Sequence, residues 1–183
     1  MKEDKERYHA FASLVAKWGR IYNLSGARSE KTILEEHVRP SLAFGPHIES
    51  EAVIDIGSGA GFPGIPLAIA YPEKQFLLLE PMEKRVAFLR QAIFELDLDN
   101  ALVQAGRAQD FCPPTPFSVA VSRAFASPEK LIEAAEHLVA PEGMMLVATQ
   151  EKTLPFSWEM RVVHPRQPRL VCLKRKRREN LRA

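Results

Sequence analysis

The sequence has little of what would mark an exported, membrane-spanning or metal-bound protein. It holds two cysteines, Cys112 and Cys172, far apart and without a metal-ligand neighbour at short spacing. Neither a disulfide framework nor a metal site is expected, and a reducing compartment is. No apolar run is long enough to cross a bilayer, so no membrane partner is expected. The first ten residues, MKEDKERYHA, are charged and mixed in sign. They lack the apolar stretch of a secretory signal, which predicts a cytoplasmic location. There is no internal repeat and no low-complexity segment.

What is present is a chain of 183 residues, 46% hydrophobic and 26% charged, enough to build one sizeable core. The expected organisation is one domain over 1–183. It comprises an N-terminal helical extension over 1–45, an α/β core over 51–173 and a basic tail over 174–183. The formal net charge of +2 hides an asymmetry: residues 161–183 carry +8 and the rest −6. Cations gathered at one end point to an anionic partner such as nucleic acid, with a solvated tail as the alternative.

Hydrophobic spacing gives the elements. Tyr8, Phe11, Leu14, Val15 and Trp18 fall three or four apart, one face of a helix from Lys2 to about Arg20. Gly19, Asn23 and Gly26 loosen the chain after that face. Ser29 is placed to cap a second helix to about Val38, which Pro40 discourages from continuing. Ala52 to Ile56 reads as a short buried strand, Ile65 to Ala70 as a helix, and Gln75 to Leu79 as a strand ending at Glu80. Met82 to Leu96 reads as a helix with Val86, Phe88, Leu89, Ile93, Phe94 and Leu96 as core candidates. Strands are expected at Ala101–Gln104, Phe117–Val121 and Met144–Thr149, and a helix capped by Ser127 over Pro128–Val139. Val162-Val163 and Leu170 to Leu173 are read as candidates for a final antiparallel pair. Strands alternating with helices predict a mostly parallel sheet covered on both faces.

The most informative stretch is Asp55-Ile56-Gly57-Ser58-Gly59-Ala60-Gly61-Phe62-Pro63-Gly64, directly after a strand and before a helix. Glycines there let a ligand come close to the backbone. In open α/β sheets ligands bind beyond the carboxyl ends of the strands, where this turn lies. Two cofactors compete for it. Gly59 to Gly64 satisfies the dinucleotide fingerprint G-x-G-x-x-G. Asp55 to Gly61 satisfies the acid-x-G-x-G-x-G pattern of S-adenosylmethionine methyltransferases. Asp55 decides between them: an acid is poorly placed beside a pyrophosphate and well placed to orient a cationic methionine end, directly or through water. Glu80, at the end of the second strand, is suited to accept hydrogen bonds from both ribose hydroxyls of either cofactor.

Beyond the motif, three stretches together resemble a known family. They are Asp55 through Pro66 (DIGSGAGFPGIP), Lys84 to Leu89 (KRVAFL) and Val121 to Ser127 (VSRAFAS). With Trp18 to Ser25, His37, Ser41-Leu42 and Arg169 to Val171, they are similar to glucose-inhibited division protein B. That family comprises bacterial small-subunit ribosomal RNA guanine-N7 methyltransferases. The resemblance implies a Rossmann-like class I S-adenosylmethionine methyltransferase fold and ribosomal RNA, or the small subunit, as partner. It also implies cofactor contacts from Gly57, Phe62, Ala108, Gln109 and Arg123. Gln109 stands where the family usually has glutamate, and Thr149-Gln150-Glu151 where many members have a lysine-glycine pair.

The side chains fit guanine N7 better than other acceptors. Strand four ends in Ser122-Arg123-Ala124, not in the Asn/Asp-Pro-Pro-aromatic motif that polarises an amine. Carbon-5 methylation needs a cysteine nucleophile, and Cys112 lies outside the usual place. Guanine N7 loses no proton before attack, so alignment and exclusion of water suffice. Arg123 is the candidate catalytic cation, able to hold a phosphate, a base edge or the cofactor carboxylate; Arg107 and His37 are weaker candidates. The expected site is therefore Asp55, Gly57, Gly59, Gly61, Phe62, Glu80, Ala108, Gln109 and Arg123. The alternatives are an NAD-binding oxidoreductase, disfavoured by Asp55 and the lack of a Tyr-x-x-x-Lys pair, and a non-catalytic RNA-binding relative.

Overall fold

The computed structural model describes residues 2–22, 29–123, 127–151, 157–165 and 169–175. The expectations for Asn23, Gly26, Ala124 to Ala126 and the basic residues from Lys176 onward lie outside these. Seven strands form one sheet: β1 (Ala52–Ile56), β2 (Gln75–Glu80), β3 (Ala101–Ala105), β4 (Phe117–Arg123), β5 (Val139–Ala148), β6 (Trp158–His164) and β7 (Leu170–Arg175). Their order is β3-β2-β1-β4-β5-β7-β6. The first five run parallel, and β7 pairs antiparallel with both β5 and β6. The mostly parallel doubly covered sheet is as expected, with β5 longer than expected because Val139 pairs Phe117 across a register shift.

One core lies on each face of the sheet. The first joins Val53, Leu78 and Leu146 to α4 (Gly64–Ala70), α5 (Glu83–Glu95) and the long α1 (Lys2–Tyr22). Phe11, Leu14 and Val15 of α1 are buried in that cluster, and Tyr8 and Trp18 pack at its margin. The N-terminal helix thus packs on α4 and α5, the helices that cover this face of the sheet. The second core joins Ile54, Ile56, Met145 and Val171 to Leu131 and Ile132 of α6 (Pro128–Ala135). Ser127 caps α6 as expected, its Oγ accepting the Lys130 amide at 3.2 Å. Phe94, read as core, is 81% exposed. Its position on α5 turns away from the sheet, and Phe88, Leu89 and Ala92 fill the buried face instead.

Pro40 does not end the second helix. Ser29 caps α2 (Glu30–Ile33), its Oγ accepting the Thr32 amide at 3.2 Å. The chain then widens into a π turn over Leu34–Val38 and continues as α3 (Arg39–Leu42). A proline inside an α-helix leaves a carbonyl without its donor and crowds the turn before it. The wider i→i+5 turn, in which the Arg39 amide donates to Leu34, accommodates the proline without a break.

Candidate active site

Strand order reverses between β1 and β4: β2 and β3 lie to one side, β4 and β5 to the other. Such a switch point leaves a crevice at the carboxyl ends of the strands. The turn over residues 57–64 spans it, with Gly57, Gly59 and Gly61 all at positive φ. At Gly59 (φ +59°) the nearest atom a Cβ would meet is 3.8 Å away, so its conformation, not crowding by the protein, demands glycine. Gly61 and Gly64 answer to packing. A Cβ on Gly61 would meet Ile65 at 2.8 Å, and one on Gly64 would press on Leu78 and on Asp55 Oδ2.

Asp55 is fully enclosed beneath this turn. Its Oδ2 accepts the Gly64 amide at 2.9 Å, while Oδ1 has no partner. Burial pushes its carboxyl up to about 7, against the opposing pull of the Gly64 amide. The sequence placed this acid toward a ligand; in the structure it acts on the site through the turn it holds. Its bond occupies the first amide of α4, the group on which a dinucleotide's pyrophosphate would rest. The choice against a dinucleotide therefore stands, for a different physical reason.

Beside the turn, over the ends of β1 to β3, lies a cavity of about 540 Å³, within the span of roughly 300–1,000 Å³ usual for ligand sites. Gly57, Glu80, Met82, Gly106, Ala108 and Gln109 line it. Glu80 is buried, with Oε2 accepting the Gly59 amide at 2.8 Å and Oε1 the Met82 amide at 3.0 Å. Arg85 stands 3.9 Å from Oε1. These contacts fix the carboxylate and leave each oxygen a further lone pair. At Gly106, a Cβ would enter open space, and φ is +148°. Of the expected residues, Gly57, Glu80, Ala108 and Gln109 meet at this cavity, and Arg107 lines it as well. Sequence reasoning missed Met82, Arg85 and Gly106. The signal for Gly106 was a lone glycine closing the third strand.

Arg123 and Phe62 form a second group, on the β4 side of the crevice. The Arg123 guanidinium lies 5.9 Å from the centre of the Phe62 ring. Its Nη1 donates to the His37 carbonyl at 2.9 Å and its Nη2 to the Glu36 carbonyl at 2.7 Å. Nη2 also stands 3.0 Å from His37 Nδ1. The His37 ring packs on Phe62 at 5.1 Å, and Phe62 on Phe11 of α1 at 5.2 Å. Arg123, expected to hold a phosphate, a base edge or the cofactor carboxylate, also joins the π turn to the end of β4 through these bonds. Gly59 and Gly61 shape the turn between the two groups.

The sequence profile of the GidB family, described as rRNA small subunit methyltransferase G, matches residues 4–157. The chain belongs to this family. GidB relatives named ribosomal RNA small subunit methyltransferase G agree. That of Vibrio cholerae serotype O1 is 38% identical over 147 residues, covering 80% of this chain and 70% of the relative. That of Methylobacillus flagellatus is 39% identical over 144 residues, covering 79% and 70%. Among solved structures, MtNAS in complex with MTA and tNA is similar with a TM-score of 0.62 at 19% identity, covering 97% of this chain and 71% of that one. A SAM-dependent methyltransferase from Aquifex aeolicus is similar with a TM-score of 0.56 at 16% identity, covering 78% and 90%. These likenesses show the Rossmann-like methyltransferase fold. The family resemblance read from the sequence is borne out. Among the described residues no group of three His, Cys, Asp or Glu is placed to hold a metal, and no helix is long and apolar enough to cross a membrane.

Proposed function

We propose that this GidB-family protein transfers the methyl group of S-adenosylmethionine to N7 of a guanine in small-subunit (16S) ribosomal RNA. The observation that carries the reading is the cavity itself, with the fixed Glu80 carboxylate at its edge and room at Gly106. It fits a nucleoside whose two ribose hydroxyls meet Glu80, with Met82 and Ala108 as apolar walls for the base and Gln109 at its rim. When bound, the cofactor supplies a methyl group made electrophilic by a sulfonium. The chain's part is to hold the turn through Asp55, to orient the ribose through Glu80, and to close the β4 side with Phe62 and Arg123. A base is not needed, because guanine N7 carries a lone pair and no proton.

The family's name and the excess of cations toward the end of the chain both favour RNA, or the assembled small subunit, as acceptor, and hence action in the cytoplasm. Incubating small-subunit RNA and intact subunits with the protein and methyl-labelled S-adenosylmethionine tests this. Nucleoside analysis is expected to find the label as 7-methylguanosine. Label on another nucleoside, or none despite cofactor binding, would overturn the proposal.

A further inference from the structure

The contact between Arg123 and His37 fixes a proton. An arginine side chain carries donors only. At 3.0 Å from Arg123 Nη2, His37 Nδ1 must therefore accept. Nη2 has two hydrogens, and the other goes to the Glu36 carbonyl. A histidine that accepts at Nδ1 carries its proton at Nε2. Burial, and then the Arg123 charge, hold the ring below its ordinary range, so it stays neutral near pH 7. The ring is half-buried, packs on Phe62 and meets Arg123 at the carboxyl end of β4, whereas the nucleoside cavity lies over β1 to β3. The β4 side is where an acceptor has to lie if the cofactor fills that cavity.

Guanine shows two acceptors on its major-groove edge, N7 and O6; adenine shows N7 beside an amino donor. N7 has to face the methyl group, so only O6 remains to identify the base. We infer that His37 reads the acceptor base, donating its Nε2 proton to O6 of the guanine whose N7 is methylated. Arg123 is then a positioning residue, setting the tautomer of His37 and anchoring the π turn that carries it. A neutral donor suits the reaction. Guanine gains a positive charge when N7 is methylated, and a cation at O6 would oppose that charge. The Arg123 charge is held back on the carbonyls of Glu36 and His37. Adenine would set its amino group against the Nε2 proton and leave both donors unpaired.

This inference rests on the proposed guanine-N7 reading, and its test separates the two. The methylated position is first mapped with the wild-type protein. RNA is then made with guanine or with 2-aminopurine there, a base that keeps N7 and lacks O6. On guanine, His37→Ala is expected to lower kcat/KM by about 10- to 100-fold, the worth of one specific base contact. On 2-aminopurine the wild type and His37→Ala are expected to be equal, because the O6 partner is already gone. His37→Gln keeps an acceptor for Arg123 and a donor for O6, and is expected to recover part of the preference for guanine. Affinity for S-adenosylmethionine should be the same in all three. An equal proportional loss on both RNAs would make His37 merely structural and overturn the inference. If His37→Ala fails to fold, the wild type decides: equal rates on guanine and 2-aminopurine overturn it. Absence of 7-methylguanosine from the wild-type product would overturn the functional reading and the inference with it.

Discussion

Glu80 ties two loops together before any ligand arrives, since its oxygens take amides from the glycine turn and from the start of α5. Glu80→Ala is expected to weaken S-adenosylmethionine binding by about 1–3 kcal/mol, the cost of leaving polar groups unpaired. Calorimetry on the folded variant measures it, and unchanged affinity would remove Glu80 from the ribose contact. Gly106→Ala tests the same cavity at the neighbouring strand end, where the Gly106 amide donates to the Glu80 carbonyl. The new Cβ enters the ligand's space at a φ that alanine resists, so cofactor affinity should fall and unfolding should become easier by about 1 kcal/mol or more. Asp55 predicts a pH effect. The folded protein holds its proton up to about pH 7, whereas the unfolded chain releases it near pH 4. Between these values the native state binds more protons, so stability falls as pH rises through the window, by at most about 1.4 kcal/mol per pH unit. Asp55→Asn keeps an acceptor for Gly64 and carries no charge to bury. Thermal unfolding from pH 5 to pH 8 should show a flatter profile for the variant, and parallel profiles would refute the raised value.

Among the elements, the π turn over Leu34–Val38 was the least legible in the sequence. Pro40 read as a stop because local rules see only its missing amide and its ring. What overrides them is tertiary: Arg123, more than eighty residues away in sequence, donates to the carbonyls of Glu36 and His37. Arg123→Ala should therefore destabilise the fold by about 1.5–3 kcal/mol, as expected for hydrogen bonds to a charged donor, while leaving the nucleoside cavity's affinity for cofactor nearly intact. A variant with wild-type melting would show that the π turn holds without the arginine. Strands β1 and β2 were legible almost to the residue, because a parallel strand buried on both faces is a continuous apolar run. On α5, the apolar Phe94 sits on the exposed face, and composition alone could not tell that face from the one holding Phe88.

At the scale of the molecule, the order of strands and helices was written in the alternation of patterns, and so was the position of the glycine turn. The assembly of the site was only partly so. Glycine spacing marked the turn, but nothing in a linear pattern says that Asp55 lies under it, or that His37 and Arg123 meet. The basic end is also divided by the structure. Arg175 belongs to β7, lies over Trp158 at 5.6 Å and donates to the Glu136 carbonyl at 2.7 Å, so its charge is engaged within the protein. Truncation after Arg175 thus tests the later cations alone. It should weaken RNA binding and reduce the slope of log affinity against log salt by up to about 0.7–0.9 for each phosphate no longer neutralised, with cofactor affinity unchanged. Parallel slopes for the two proteins would leave those cations without a role in binding. Strand β7 carries one more consequence, for the moment of synthesis. It follows every other described strand yet lies inside the sheet, between β5 and β6. While the chain emerges from the ribosome, β6 appears with no neighbour to pair with, and β5 keeps a bare edge. The sheet closes like a keystone arch, last piece inward, so a nascent chain halted before Leu170 is expected to be a substrate for chaperones and proteases rather than a smaller working enzyme.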